Sequence, residues 1–155
     1  VRIAQSDLTK KDRYPLRWLR QVARQPFACL SKTGCFELSL TITDDPHIHK
    51  LNRDFRGQDK PTDVLSFAAT EAMDLAAWPK EIPLPLGDVV ISLATVRRQA
   101  QENDISPDFE LAWVLLHGIL HLLGYDHQTE KQRSPMRALE NQCLRELGID
   151  RVITV

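Results

Sequence analysis

His117-Gly118-Ile119-Leu120-His121-Leu122-Leu123-Gly124-Tyr125-Asp126-His127 is the stretch that decides how the chain is built. Three of the five histidines in the 155-residue sequence fall inside it. On a helix, residues four apart lie one turn apart on the same face. His117 and His121 can therefore direct imidazole nitrogens at one ion. Gly124 suits the left-handed backbone that ends a helix, and the reversal lets His127 return as a third ligand. Three neutral imidazoles suit zinc, with the fourth tetrahedral position left to water, as in catalytic rather than structural sites. A lone histidine on an apolar helix is more often a core residue with one hydrogen bond. Three at this spacing favour one Zn2+ per chain.

The helix that carries the pair begins with Ser106 as cap, Pro107 as first residue and Asp108 in the first turn. Leu111, Val114, Leu115, Ile119 and Leu122 make it apolar nearly all round, so it must be buried. Downstream, Met136, Leu139, Cys143, Leu144 and Leu147 predict a last helix ending at Gly148. It starts near Thr129 with a kink at Pro135, or at Ser134 with proline as its first residue. Upstream, Val1 to Ala4 can form a short edge strand. Thr9 to Asp12 resembles a capping box, and the spacing of Trp18, Leu19, Val22 and Ala23 predicts a helix over about 12–25. Residues 36–42 alternate as a half-buried strand. Asp44-Asp45-Pro46 opens a short helix from His47 to Phe55, which Gly57 ends. Residues 64–67 and 87–92 read as strands, and 93–102 as a helix. Pro79, Pro83 and Pro85 make 71–86 a surface loop or a hairpin connection. The expected fold class is α+β, with a small mixed β-sheet packed with about five helices and a central helix carrying the three-histidine metal site. One domain spans 1–155.

The totals agree with that picture. Hydrophobic residues make up 43% and charged residues 26%, ordinary for a soluble globular chain that can bury a core. No apolar run is long enough to cross a bilayer, and no export signal opens the sequence. A formal charge of -1 argues against binding nucleic acid by bulk charge, though not against a local basic groove. Cys29, Cys35 and Cys143 suggest no disulfide framework and fit reduced thiols of a cytoplasm. His47 and His49 lie on different faces of a polar helix, as solvated side chains would.

The H-x3-H-x2-G-x2-H spacing also occurs in metzincin peptidases. Those place a glutamate base directly after the first histidine, where this chain has Gly118. Met136 stands downstream as a Met-turn would, although a methionine in a helical apolar stripe is more often core. Without that base, the metal can activate its own water or act as Lewis acid on a carbonyl or phosphoryl oxygen. A cation beside it would favour phosphoryl chemistry. Arg53, Arg56 and Lys60 are the candidates. Their spacing alone favours a solvated helix end.

The stretch 117–127 resembles the signature of the YbeY family. Leu51-Asn52 through Arg56, then Asp59-Lys60-Pro61-Thr62-Asp63-Val64-Leu65-Ser66-Phe67, resembles that family's second block, and Gly87-Asp88-Val89-Val90-Ile91-Ser92 its third. The blocks follow the family's order. The resemblance implies a metal-dependent endoribonuclease specific for single strands, acting in 16S ribosomal RNA maturation and late quality control of the 30S subunit, in the bacterial cytoplasm or in organelles. It implies His117, His121 and His127 as metal ligands and Arg56 as the functional, substrate-binding arginine. The implied partners are single-stranded ribosomal RNA, the small ribosomal subunit with one of its proteins, and an assembly GTPase, with no membrane. Two other classes stay open. A zinc peptidase would need an acid such as Asp126 or Asp63. A non-catalytic assembly factor would use zinc to hold its fold, with Arg17, Arg20 and Arg24 as a docking face.

Overall fold

A computed structural model describes residues 1–151. Its elements run β1 (Arg2–Gln5), α1 (Leu16–Cys29), β2 (Phe36–Thr43), α2 (Asp45–Arg56), β3 (Val64–Ala68), a 3-10 turn (Thr70–Ala72), β4 (Leu84–Ser92), α3 (Leu93–Glu102), α4 (Pro107–Leu122) and α5 (Glu130–Leu147). The four strands form one mixed sheet in the order β1-β2-β4-β3. β1 and β4 run parallel to β2, and β3 closes the far edge antiparallel to β4. This is the expected α+β arrangement, with β1 at an edge and a long hairpin joining β3 to β4.

Alternating side chains divide the strands between two cores. Leu38, Leu40 and Ile42 of β2 and Val89 and Ile91 of β4 join the main core, with Leu19 and Val22 of α1, Val96 of α3 and Leu144 of α5. Leu65 and Val90 point to a smaller core closed by Ile48 of α2. So α2 covers one face of the sheet, and the remaining helices cover the other. α4 lies innermost among them. Leu111, Ala112, Leu115, Leu116, Ile119 and Leu120 are fully buried, as an all-round apolar surface requires.

Local chemistry sets the helix ends. The side chains of Asp44, Ser92, Ser106 and Thr129 accept from backbone N–H groups in the first turns of α2, α3, α4 and α5. For α5 the choice of start is settled by a capping box between Thr129 and Gln132, which leaves Pro135 inside the helix. Two boundaries differ from expectation. The first helix starts at Leu16 rather than near residue 12. Pro15 keeps Tyr14 extended, and Gln5 of β1 clamps the Tyr14 backbone through bonds of 2.8 and 2.9 Å. Thr9 and Asp12 close a separate turn. The fourth strand starts at Leu84, inside the predicted loop. Pro85 is tolerated there because β3 pairs only as far as Gly87, and the β2–β4 register shifts between Glu37 and Leu38.

Candidate metal centre

α4 holds His117 and His121 on one face near its C-terminus, with their ring centroids 4.6 Å apart. The backbone then turns through Gly124 at φ +95°, a conformation other residues rarely adopt. Nothing crowds that glycine, so backbone freedom is its role. The turn brings the His127 ring to 5.2 Å from His117 and 5.0 Å from His121. One ligand atom from each histidine lies within 4.8 Å of the others, and no other such group occurs among the described residues.

The hydrogen bonds say which nitrogens are available. His121 Nδ1 lies 2.9 Å from the Tyr125 carbonyl, which can only accept, so Nδ1 carries the hydrogen. His117 Nδ1 lies 2.6 Å from Glu140 Oε1 and donates to that carboxylate in the same way. In the neutral form each ring keeps a lone pair on Nε2, and these two atoms face each other at 3.1 Å. Facing lone pairs repel unless a cation stands between or beside them. The all-imidazole set, with no thiolate, fits zinc. Burial pushes the His121 pKa down, and the neighbouring His117 and His127 push it further. The ring is therefore kept in the neutral form that a ligand needs.

Glu140 is the residue that sequence reasoning missed. It is 4% exposed, and its second oxygen accepts from the Trp113 indole N–H at 3.0 Å. A buried carboxylate behind a ligating histidine fixes ring orientation and tautomer. Its signal was present: Glu140 sits on the apolar stripe of α5, between Met136 and Cys143 and Leu144, which are all buried.

A cleft of about 780 Å³ opens over the histidines. Arg56, at the end of α2, reaches its wall, and so do Ser66 and Phe67 of β3. The Arg56 guanidinium donates to the Ser66 carbonyl at 2.6 Å and lies 5.2 Å from the Phe67 ring centroid. Arg53 and Lys60, the other two cations considered, do not line this cleft. Arg53 pairs with Asp54 instead. Asp63 and Asp126 do line it. They accept from the backbone N–H groups of Val64 and His127 respectively.

Gly118 proves to be a packing residue. A Cβ there would lie 2.9 Å from Val89 Cγ1, 3.1 Å from Val64 Cγ2 and 3.2 Å from Ser66 Oγ. The position that holds a base in metzincins faces the sheet here. Met136 is buried in α5 rather than in a turn below the histidines. His47 and His49 face Asp7 and Asp59 at the surface. All three cysteines are free thiols, with the sulfurs of Cys29 and Cys143 3.2 Å apart. Arg17, Arg20 and Arg24 are exposed on α1, away from the cleft. No helix among the described residues is long and apolar enough to cross a membrane.

Comparison with known proteins gives this geometry a family. The family model "Endoribonuclease YbeY" matches residues 3–148. An Endoribonuclease YbeY of Heliobacterium modesticaldum is 43% identical over 152 residues, covering 93% of this chain and 92% of its own. That of Pelotomaculum thermopropionicum is 52% identical over 115 residues, 74% of each chain. The solution structure of TM1509 from Thermotoga maritima superposes with a TM-score of 0.61 at 28% identity, covering 94% of this chain and 87% of that one. The histidine turn, the arginine-bearing helix end and the sheet edge between them thus lie within a match that runs nearly end to end, and the chain belongs to the Endoribonuclease YbeY family.

Proposed function

We propose that this protein is a zinc-dependent endoribonuclease that cuts single-stranded RNA, in 16S ribosomal RNA maturation and in assembly and quality control of the small ribosomal subunit. The proposed location is the cytoplasm. The proposed partners are the small subunit, one of its proteins and an assembly GTPase, all by family likeness. The observation that carries the catalytic part is the placing of Arg56 and the three histidines in one cleft.

His117, His121 and His127 would hold the zinc, which when bound supplies a Lewis acid for a phosphoryl oxygen and lowers the pKa of water. Glu140 and the Tyr125 carbonyl keep the hydrogens of His117 and His121 on Nδ1, so that both Nε2 atoms stay free to ligate. Arg56 binds the scissile phosphate and stabilises the charge that develops on its non-bridging oxygens. The Ser66 carbonyl and the Phe67 ring hold its guanidinium in place before substrate arrives. Gly118 leaves no room for a peptidase-type base.

The test compares zinc-quantified wild type, Arg56→Ala and Arg56→Lys on single-stranded ribosomal RNA. Loss of a preorganised donor to developing charge costs about 10²–10³ in rate. Arg56→Ala should fall by that factor with its zinc retained, and Arg56→Lys should recover part of it. An Arg56→Ala protein that cuts at the wild-type rate contradicts the assignment. If that protein also completes RNA maturation, the non-catalytic assembly role is the better account.

A further inference from the structure

A second cavity of about 320 Å³ meets the histidines on the α5 side. His117 and His127 line it as well as the main cleft, so the two spaces adjoin at these rings. Its remaining wall comes from Trp113 of α4 and from Arg133, Met136, Arg137 and Glu140 of α5. An endonuclease cuts within a strand, so RNA must leave the reacting phosphate in two directions. The cleft beside Arg56 provides one of them.

We propose that the α5 cavity is a second RNA subsite, which takes the nucleotide flanking the scissile phosphate on the side away from Arg56. Single-stranded nucleic acid is held by cationic groups along its backbone and by aromatic surface against its bases, and both are present here. Arg133 and Arg137 are four apart on α5, both exposed, and share one face. Arg133 donates to the His127 carbonyl at 3.4 Å and has Glu130 at 3.6 Å. Arg137 has no ion-pair partner among the described residues. It is the guanidinium available to a phosphate. Trp113, only partly buried, offers an aromatic surface to a base. The one acid in the wall does not oppose this, because both Glu140 oxygens are engaged by His117 and Trp113. The chain as a whole carries a charge of -1, so the paired arginines are a local feature rather than part of a generally basic surface.

The inference rests on single-stranded RNA being the substrate. The test uses the zinc-loaded full chain and a synthetic single-stranded RNA, shortened one nucleotide at a time from each end. KM is measured for wild type, Arg137→Ala and Arg133→Ala/Arg137→Ala. In the wild type, the one shortening step that removes the phosphate held by Arg137 should raise KM about 10-fold, the scale of one charge-assisted hydrogen bond. In both variants the same step should raise KM less than about twofold, since the contact it removes is already weakened. A step of equal size in all three proteins, or no step in the wild type, overturns the subsite and leaves the nuclease assignment standing. A wild type that cuts none of the RNAs overturns both.

Discussion

Replacing Gly118 by alanine tests whether α4 lies on the sheet as closely as described. The added methyl would stand 2.9 Å from Val89 Cγ1, 3.1 Å from Val64 Cγ2 and 3.2 Å from Ser66 Oγ. Relaxed carbon contacts lie at about 3.5–4.0 Å. Val89 is wholly buried and its branched side chain is stiff, so it cannot turn aside. Ser66 can move only by giving up its 3.0 Å bond to the Gly118 carbonyl. Overpacking of this kind costs about 1–3 kcal/mol. The gain in helix propensity from glycine to alanine returns about 1 kcal/mol. The net is a loss of up to about 2 kcal/mol. Urea unfolding of the chelator-treated chain reads this directly, as a lower midpoint with an unchanged slope. Gly118→Glu, which restores the metzincin residue, should lose far more, because it buries a charge against valines. A Gly118→Ala protein more stable than wild type by the full helix-propensity gain of about 1 kcal/mol would refute the close approach.

Three further outcomes follow from the same geometry. Glu140→Ala frees the His117 ring and leaves the Trp113 N–H unpaired, and should weaken zinc binding about 10- to 100-fold in a chelator competition. Glu140→Gln, which can still accept a hydrogen bond, should lose less. Burial alone would raise the Asp45 pKa, but hydrogen bonds from Ser92, Thr95 and Arg98 outweigh it and hold the carboxyl below its usual value of 3.8. Its stabilisation is therefore complete above that value and is lost as pH falls through the depressed one. Asp45→Asn should cost about 1 kcal/mol at neutral pH, discounted for exposure, and its melting curve should approach that of wild type below pH 3.8. Burial, first of all, and then the neighbouring Cys29 push the Cys143 thiol well up. In native protein a thiol reagent should modify exposed Cys35 first and Cys143 only on unfolding.

Much of this molecule was legible in order along the chain, for identifiable reasons. Caps at Asp44 and Ser106 mark two helices because a side chain two or three residues away satisfies the first free N–H groups. The histidine site was legible because two of its ligands share a helix turn and the third follows a glycine. What stayed hidden depends on contacts between distant segments. The late start of α1 needs Gln5 to clamp Tyr14. The early start of β4 needs β3 to end before Pro85. Glu140 stands out on the apolar stripe of α5, but its partner emerges only when α5 packs against α4 and presents it to His117, 23 residues away. Arg56 was ambiguous from spacing alone. Only the end of α2 lying against β3 shows that it, and neither Arg53 nor Lys60, reaches the histidine cleft.

The central claim is that His117, His121 and His127 hold one zinc through which RNA is cut. It is tested most directly by single-turnover cleavage of single-stranded RNA while chelator-stripped protein is titrated with zinc. Expected are no cutting by stripped protein, a rise in rate that breaks at one equivalent, and no rise for His121→Ala. Stripped protein that cuts at the wild-type rate, or His121→Ala that responds to one equivalent as wild type does, would contradict it.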